Sequence, residues 1–243
     1  MKLVLGIIII GSVGVFVFYK LKKNPNSSES ELNTESQKPV KFFSLNDGNQ
    51  NELIISAEVT KKWLDSIKTK YDWNNFDEYD NRTWEYMSEL FDRAVYKYVE
   101  EKPDVLWNKL NREQKVFWAF LAFNGDTDNG GVYQFIFNRP EFIIAIAEMW
   151  EELGMEEIGS DYEKVLKELS GKTGKLNELN EIFNDESQSW NKRWNSFADG
   201  YKELKSTKEI EDYYYDKEFK KKLFKKVADY IELNINKFTK LEQ

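Results

Sequence analysis

The sequence predicts an all-α protein, a single multi-helix domain preceded by one N-terminal transmembrane helix and a flexible tether. Three observations predict it. From Ser56 onward apolar residues recur at spacings of three and four, the period of a helix that buries one face. Convincing alternating runs are absent, so no sheet is expected beyond a short strand near Leu53 to Ile55. Leu3 to Tyr19 carry no charge, while Lys2, Lys20, Lys22 and Lys23 flank them.

Residues 1–23 are expected to form the anchor. The uncharged stretch has 17 residues and as a helix reaches about 25 Å. A hydrocarbon core is about 30 Å thick, and flanking lysines can snorkel across the difference. The stretch ends in Phe16, Val17, Phe18 and Tyr19 rather than in the small residues of a cleavage site, so it is expected to stay attached. Three lysines after it, against Lys2 and the amino terminus before it, bias the body slightly toward the cytoplasm. The expected location is therefore a single-pass membrane protein with a cytoplasmic body.

Residues 24–55 read as a polar tether and irregular segment. Asn24 to Lys38 is rich in Ser, Asn and Glu and has almost nothing to bury. Phe42, Phe43 and Leu45 make a short apolar patch, followed by the turn signal Asn46-Asp47-Gly48-Asn49. Residues 56–243 are the expected helical domain. Its stripes are Trp84, Met87, Phe91, Val95 and Tyr98; then Phe142, Ile146, Met149 and Leu153; then Tyr162, Val165, Leu166 and Leu169; and last Phe219, Leu223, Val227, Tyr230 and Ile231. The second stripe opens after Pro140, suited to a first helical turn, and closes at Gly154, suited to a C-terminal cap.

Composition narrows the chemistry. The chain has no His and no Cys, which removes thiol nucleophiles, imidazole bases, disulfides and the usual zinc or copper sites. Carboxylate, hydroxyl, Lys and Tyr chemistry remain. No catalytic residue, metal ligand or cofactor site stands out, and a non-catalytic protein is expected. The formal charge is −8, and beyond residue 40 thirty basic residues face forty acidic ones, about −10 for the body. Such a surface repels nucleic acid and favours solubility or a basic partner.

One segment departs from the helical pattern. Asn124-Gly125-Asp126-Thr127-Asp128-Asn129-Gly130-Gly131 reads as a turn between two helices. A calcium loop starting at Asn124 or Asp126 would place Phe135 or Phe137 where the bidentate Glu belongs, so it is not an EF-hand. No Gly-Lys-Ser/Thr follows the glycines, so it is not a phosphate loop. The glycines are expected to turn the chain, with Asp128 or Asn129 capping the next helix. Gln134 and Asn138, four apart on one face, are expected to bond the turn or a neighbouring helix.

Asn129-Gly130-Gly131 followed by Gln134-Phe135 and Asn138 resembles the N-G-G-F-x-Q-F-F-x-N signature of the bacterial DNA-mimic (DMP-type) proteins. The resemblance continues through Asn111-Arg112-Glu113-Gln114 and Phe117-Trp118 before it. After it come the Ile146 to Gly154 helix, Tyr213-Tyr214-Tyr215 and Tyr230 to Asn234, so that it covers roughly residues 58–236. Val132 stands where an aromatic residue is usual, and the membrane segment is an addition. The resemblance implies an all-helical, often dimeric fold whose acidic surface can imitate DNA phosphates and occupy a DNA-binding regulator. It also implies that the signature is a fold element rather than the mimic surface.

A phosphate-like surface needs carboxylates in rows. Residues 141–163 hold eight acidic residues and no basic one, among them Glu148, Glu151, Glu152, Glu156, Glu157 and Asp161. These six are the candidate binding surface. Residues 72–92 hold seven more against Arg82 alone. Lys217, Lys220, Lys221, Lys222, Lys225 and Lys226 oppose a uniform negative face. The expected function is a membrane-anchored module that binds a protein partner with a basic surface and makes no direct contact with nucleic acid; a homodimer is what the resemblance implies. The alternatives are an immunity protein that neutralises a toxin and a carboxylate-based, metal-assisted hydrolase.

Overall fold

The computed structural model describes residues 42–48, 57–72, 85–86, 89–90, 93, 103–173, 188–201 and 204–242, and structural statements below concern these. The expected anchor, the polar tether from Asn24 to Lys38, the stripe from Trp84 to Tyr98 and most of the acidic run 72–92 lie outside them. Among the described residues no helix is long and apolar enough to cross a membrane.

The described chain is mostly helical, as the periodicity predicts. It begins with a strap, Phe42–Gly48, followed by strand β1 (Ala57–Thr60) and helix α1 (Lys61–Lys70). Helices α2 (Pro103–Lys109), α3 (Arg112–Gly130) and α4 (Val132–Asn138) come next. A single 3-10 turn, Pro140–Phe142, leads into α5 (Ile143–Glu152), then α6 (Glu156–Thr173) and α7 (Trp190–Tyr201). The chain ends with α8 (Lys205–Tyr214), α9 (Lys217–Leu233), α10 (Ile235–Phe238) and strand β2 (Thr239–Glu242).

Several helix ends follow from adjacent residues. Thr60 accepts the amide of Trp63, and Asp216 accepts those of Glu218 and Phe219. At α3, Asn111 and Gln114 satisfy each other's backbone amides as a capping box. At Gly154 the chain takes φ 62°, the Gly154 amide bonds the Glu151 carbonyl and the Met155 amide bonds the Trp150 carbonyl. That is a Schellman close, the C-terminal cap expected there.

α3 is the central helix. Phe123 lies fully buried with its ring centroid 5.0 Å from Phe135, 5.2 Å from Trp150, 5.5 Å from Tyr214 and 6.0 Å from Tyr162. Helices α4, α5, α6 and α8 are thus packed around one ring. Phe120 meets Phe224 of α9, and Phe117 meets Phe238 of α10. The predicted stripe Phe142, Ile146, Met149 and Leu153 is buried throughout. Large-to-small changes in such a cluster typically cost about 3–5 kcal/mol.

One expectation needs correction. β1 and β2 pair in parallel, Ala57 opposite Thr239 through Thr60 opposite Glu242, where the sequence predicts helix from Ser56 onward and no strand beyond a short one near Leu53 to Ile55. Each strand has four residues, too short for alternation to show, and the pairing joins residues about 180 positions apart. Leu53 to Ile55 lie outside the described residues.

The strap belongs to the same compact unit as the helices, Val40–Gln243. Phe43 and Leu45 are buried, Phe43 stacking on Trp107 at 4.9 Å and meeting Phe142 edge-on at 5.0 Å. Its polar groups are met by α2, α3 and α5. The Trp107 indole donates to the Ser44 carbonyl at 3.0 Å, Lys115 donates to the Asp47 carbonyl, and Glu148 accepts from Ser44 and Leu45. Gly48 has φ 73°, and a Cβ there would lie 2.6 Å from the Asn108 carbonyl oxygen, so the turn signal read in the sequence requires its glycine.

Candidate functional site: the bend at Gly131 and the acidic turn at Gly154

The segment Asn124 to Asn129, expected as a loop, is helical: α3 runs unbroken to Gly130. Buried polar contacts override the low helix propensity of Asn, Asp and Gly here. Asn124 is buried and its amide donates to Asp128 at 2.9 Å, while its oxygen accepts the Tyr214 hydroxyl and the Lys220 ammonium, each at 2.8 Å. Lys220 also pairs with Asp128 at 2.5 Å and lies 3.6 Å from the centre of the Tyr214 ring. This lysine side chain is only 6% exposed. Burial pulls its ammonium down to about 8, with Asp128 offsetting part of the cost.

The direction change falls on Gly131. Its φ of 91° and ψ of 170° belong to a region that is essentially glycine-only. A Cβ there would lie 2.5 Å from a Glu211 carboxylate oxygen. The expected cap by Asp128 or Asn129 is not what holds α4. Its first amide, Val132 N–H, is accepted by Glu211 of α8 at 2.7 Å, and Gly131 gives no side-chain cap. Asp128 is instead spent on Asn124 and Lys220, and Asn129 is exposed. Burial holds the Glu211 carboxyl above its ordinary range, the Val132 amide opposing it. The Tyr215 hydroxyl donates to the Thr127 carbonyl at 2.8 Å, so α8 also fastens the end of α3.

The other signature residues are structural in the same sense. Phe135 packs on Phe123. The Asn138 amide donates to Asp126 at 2.8 Å, and Arg139 pairs with the same carboxylate at 3.0 Å. Asn138 therefore bonds a side chain of α3 rather than the backbone of a turn. Gln134 folds over Gly130, where an added Cβ would meet its carboxamide oxygen at 1.8 Å. Lys220 and Glu211 were missed by sequence reasoning. Lys220 sat among surface lysines, and only its place on the Phe219–Leu223 side of a helical stripe hinted at burial.

The six candidate acidic residues divide evenly. Glu148 is occupied by the strap. Glu152 pairs with Arg112 at 2.7 Å and accepts the Tyr230 hydroxyl. Asp161 accepts Lys164 at 2.7 Å and the Tyr213 hydroxyl at 3.0 Å. Glu151, Glu156 and Glu157 are exposed at the turn around Gly154 and make no ion pair among the described residues. A depression of about 260 Å³ beside them is lined by Gly154, Met155, Glu156, Glu157, Phe219 and Lys222. Two lysines of α9 stand beside this acidic turn: Lys222 lines the depression, and an added Cβ at Gly154 would lie 3.9 Å from the Lys226 ammonium. Among the described residues no three carboxylates converge as metal ligands.

No curated protein and no solved structure was found to match the chain. A family model described as DMP19-like protein matches residues 108–234, a span that opens just before α3 and closes at the end of α9. It takes in the bend, both helices that clamp it and the acidic turn. Those residues make up more than half of the chain, which belongs to the DMP19-like protein family.

Proposed function

We propose that this chain is a membrane-anchored, non-catalytic binding module that offers the turn around Gly154 to a basic protein surface, of the kind that DNA-binding proteins carry. The observation that carries this reading is the exposure of Glu151, Glu156 and Glu157 with no ion pair among the described residues, next to Glu152 and Asp161 of the same run, which have one. Exposed carboxylates speed encounter with a basic patch and set its orientation. The anchor rests on the uncharged residues 3–19 and their flanking lysines.

Affinity capture of the full chain from its own membranes tests the reading. A basic partner is expected to co-purify, with binding that weakens as ionic strength rises from 0.05 to about 0.5 M. Capture of only acidic or neutral proteins, or salt-insensitive binding, contradicts it. Digestion of the body by protease added to intact cells would overturn the cytoplasmic orientation.

A further inference from the structure

We draw no further inference here: the strongest candidate, the aromatic surface patch where α7 packs on α4, with Trp194 5.6 Å from the half-exposed Trp190 and 5.5 Å from Tyr133, carries nothing because nothing in the structure shows what covers it.

Discussion

Two glycine-centred corners join helices in this molecule, and their carboxylates face opposite ways. At Gly131, Asp126, Asp128 and Glu211 turn inward and each is spent, on Arg139 and Asn138, on Lys220 and Asn124, and on the Val132 amide. At Gly154 the backbone closes the helix by itself, and Glu151, Glu156 and Glu157 are left to solvent. The bend is held from outside by α8 and α9, so changing it should cost stability. The turn itself needs no side chain, so changing its carboxylates should cost little beyond interaction and the favourable place of Glu156 and Glu157 in the first turn of α6.

The sharpest test of that contrast is Gly131→Ala. Strain at φ 91° contributes roughly 1–3 kcal/mol and displacing Glu211 from the Val132 amide about 1 kcal/mol more. A loss of about 3 kcal/mol in urea denaturation is expected. Gly130→Ala, one residue earlier, should stay within about 0.5 kcal/mol, because a mobile Gln134 side chain can swing away. Equal losses would break the assignment of the bend to Gly131.

Lys220→Met comes next, at about 2 kcal/mol, since it leaves Asp128 and the Asn124 oxygen short of a buried donor. It should also change the pH profile. A folded-state value near 8, below the ordinary 10.5, means that the unfolded chain binds the extra proton between these limits. Wild-type stability should therefore rise from about pH 8 toward pH 10 on account of this group. Above pH 10 the buried Tyr86 and Tyr162 and the half-buried Tyr213 and Tyr230, all raised by desolvation, reverse the trend because the unfolded chain ionises first. In Lys220→Met the rise below pH 10 should vanish. A fourth variant, Glu211→Ala, removes the acceptor at the start of α4 and should cost about 1 kcal/mol in melting experiments.

Comparing caps shows how much of this was legible. The N-termini of α1, α3 and α9 are capped by Thr60, Asn111 and Asp216, each adjacent to its helix and readable from the sequence. Those of α4 and α8 are met by Glu211 and Glu168, which lie 79 and 38 residues away from the amides they accept. No local pattern announces such a partner, which is why the bend was read as a loop with its own cap. Periodicity located the buried stripes of α5, α6 and α9 because burial repeats every turn. It could not separate Lys220 from Lys217, Lys221, Lys222, Lys225 and Lys226, because a lysine is hydrophilic by type and only packing assigns it inside. The acidic run was visible as a count, but which of its members were free depended on Ser44, Arg112 and Tyr213, all distant in sequence.

A small effect on stability is expected of the variant that matters most for function. Glu151→Gln, Glu156→Gln and Glu157→Gln together should lower stability by no more than about 1 kcal/mol, from the loss of Glu156 and Glu157 in the first turn of α6. The most direct measurement is the dissociation constant of the partner recovered from the membrane, for this triple variant and for wild type, at low salt. Binding weakened at least tenfold while the chain stays folded is the predicted result. Unchanged binding by the triple variant would contradict the account.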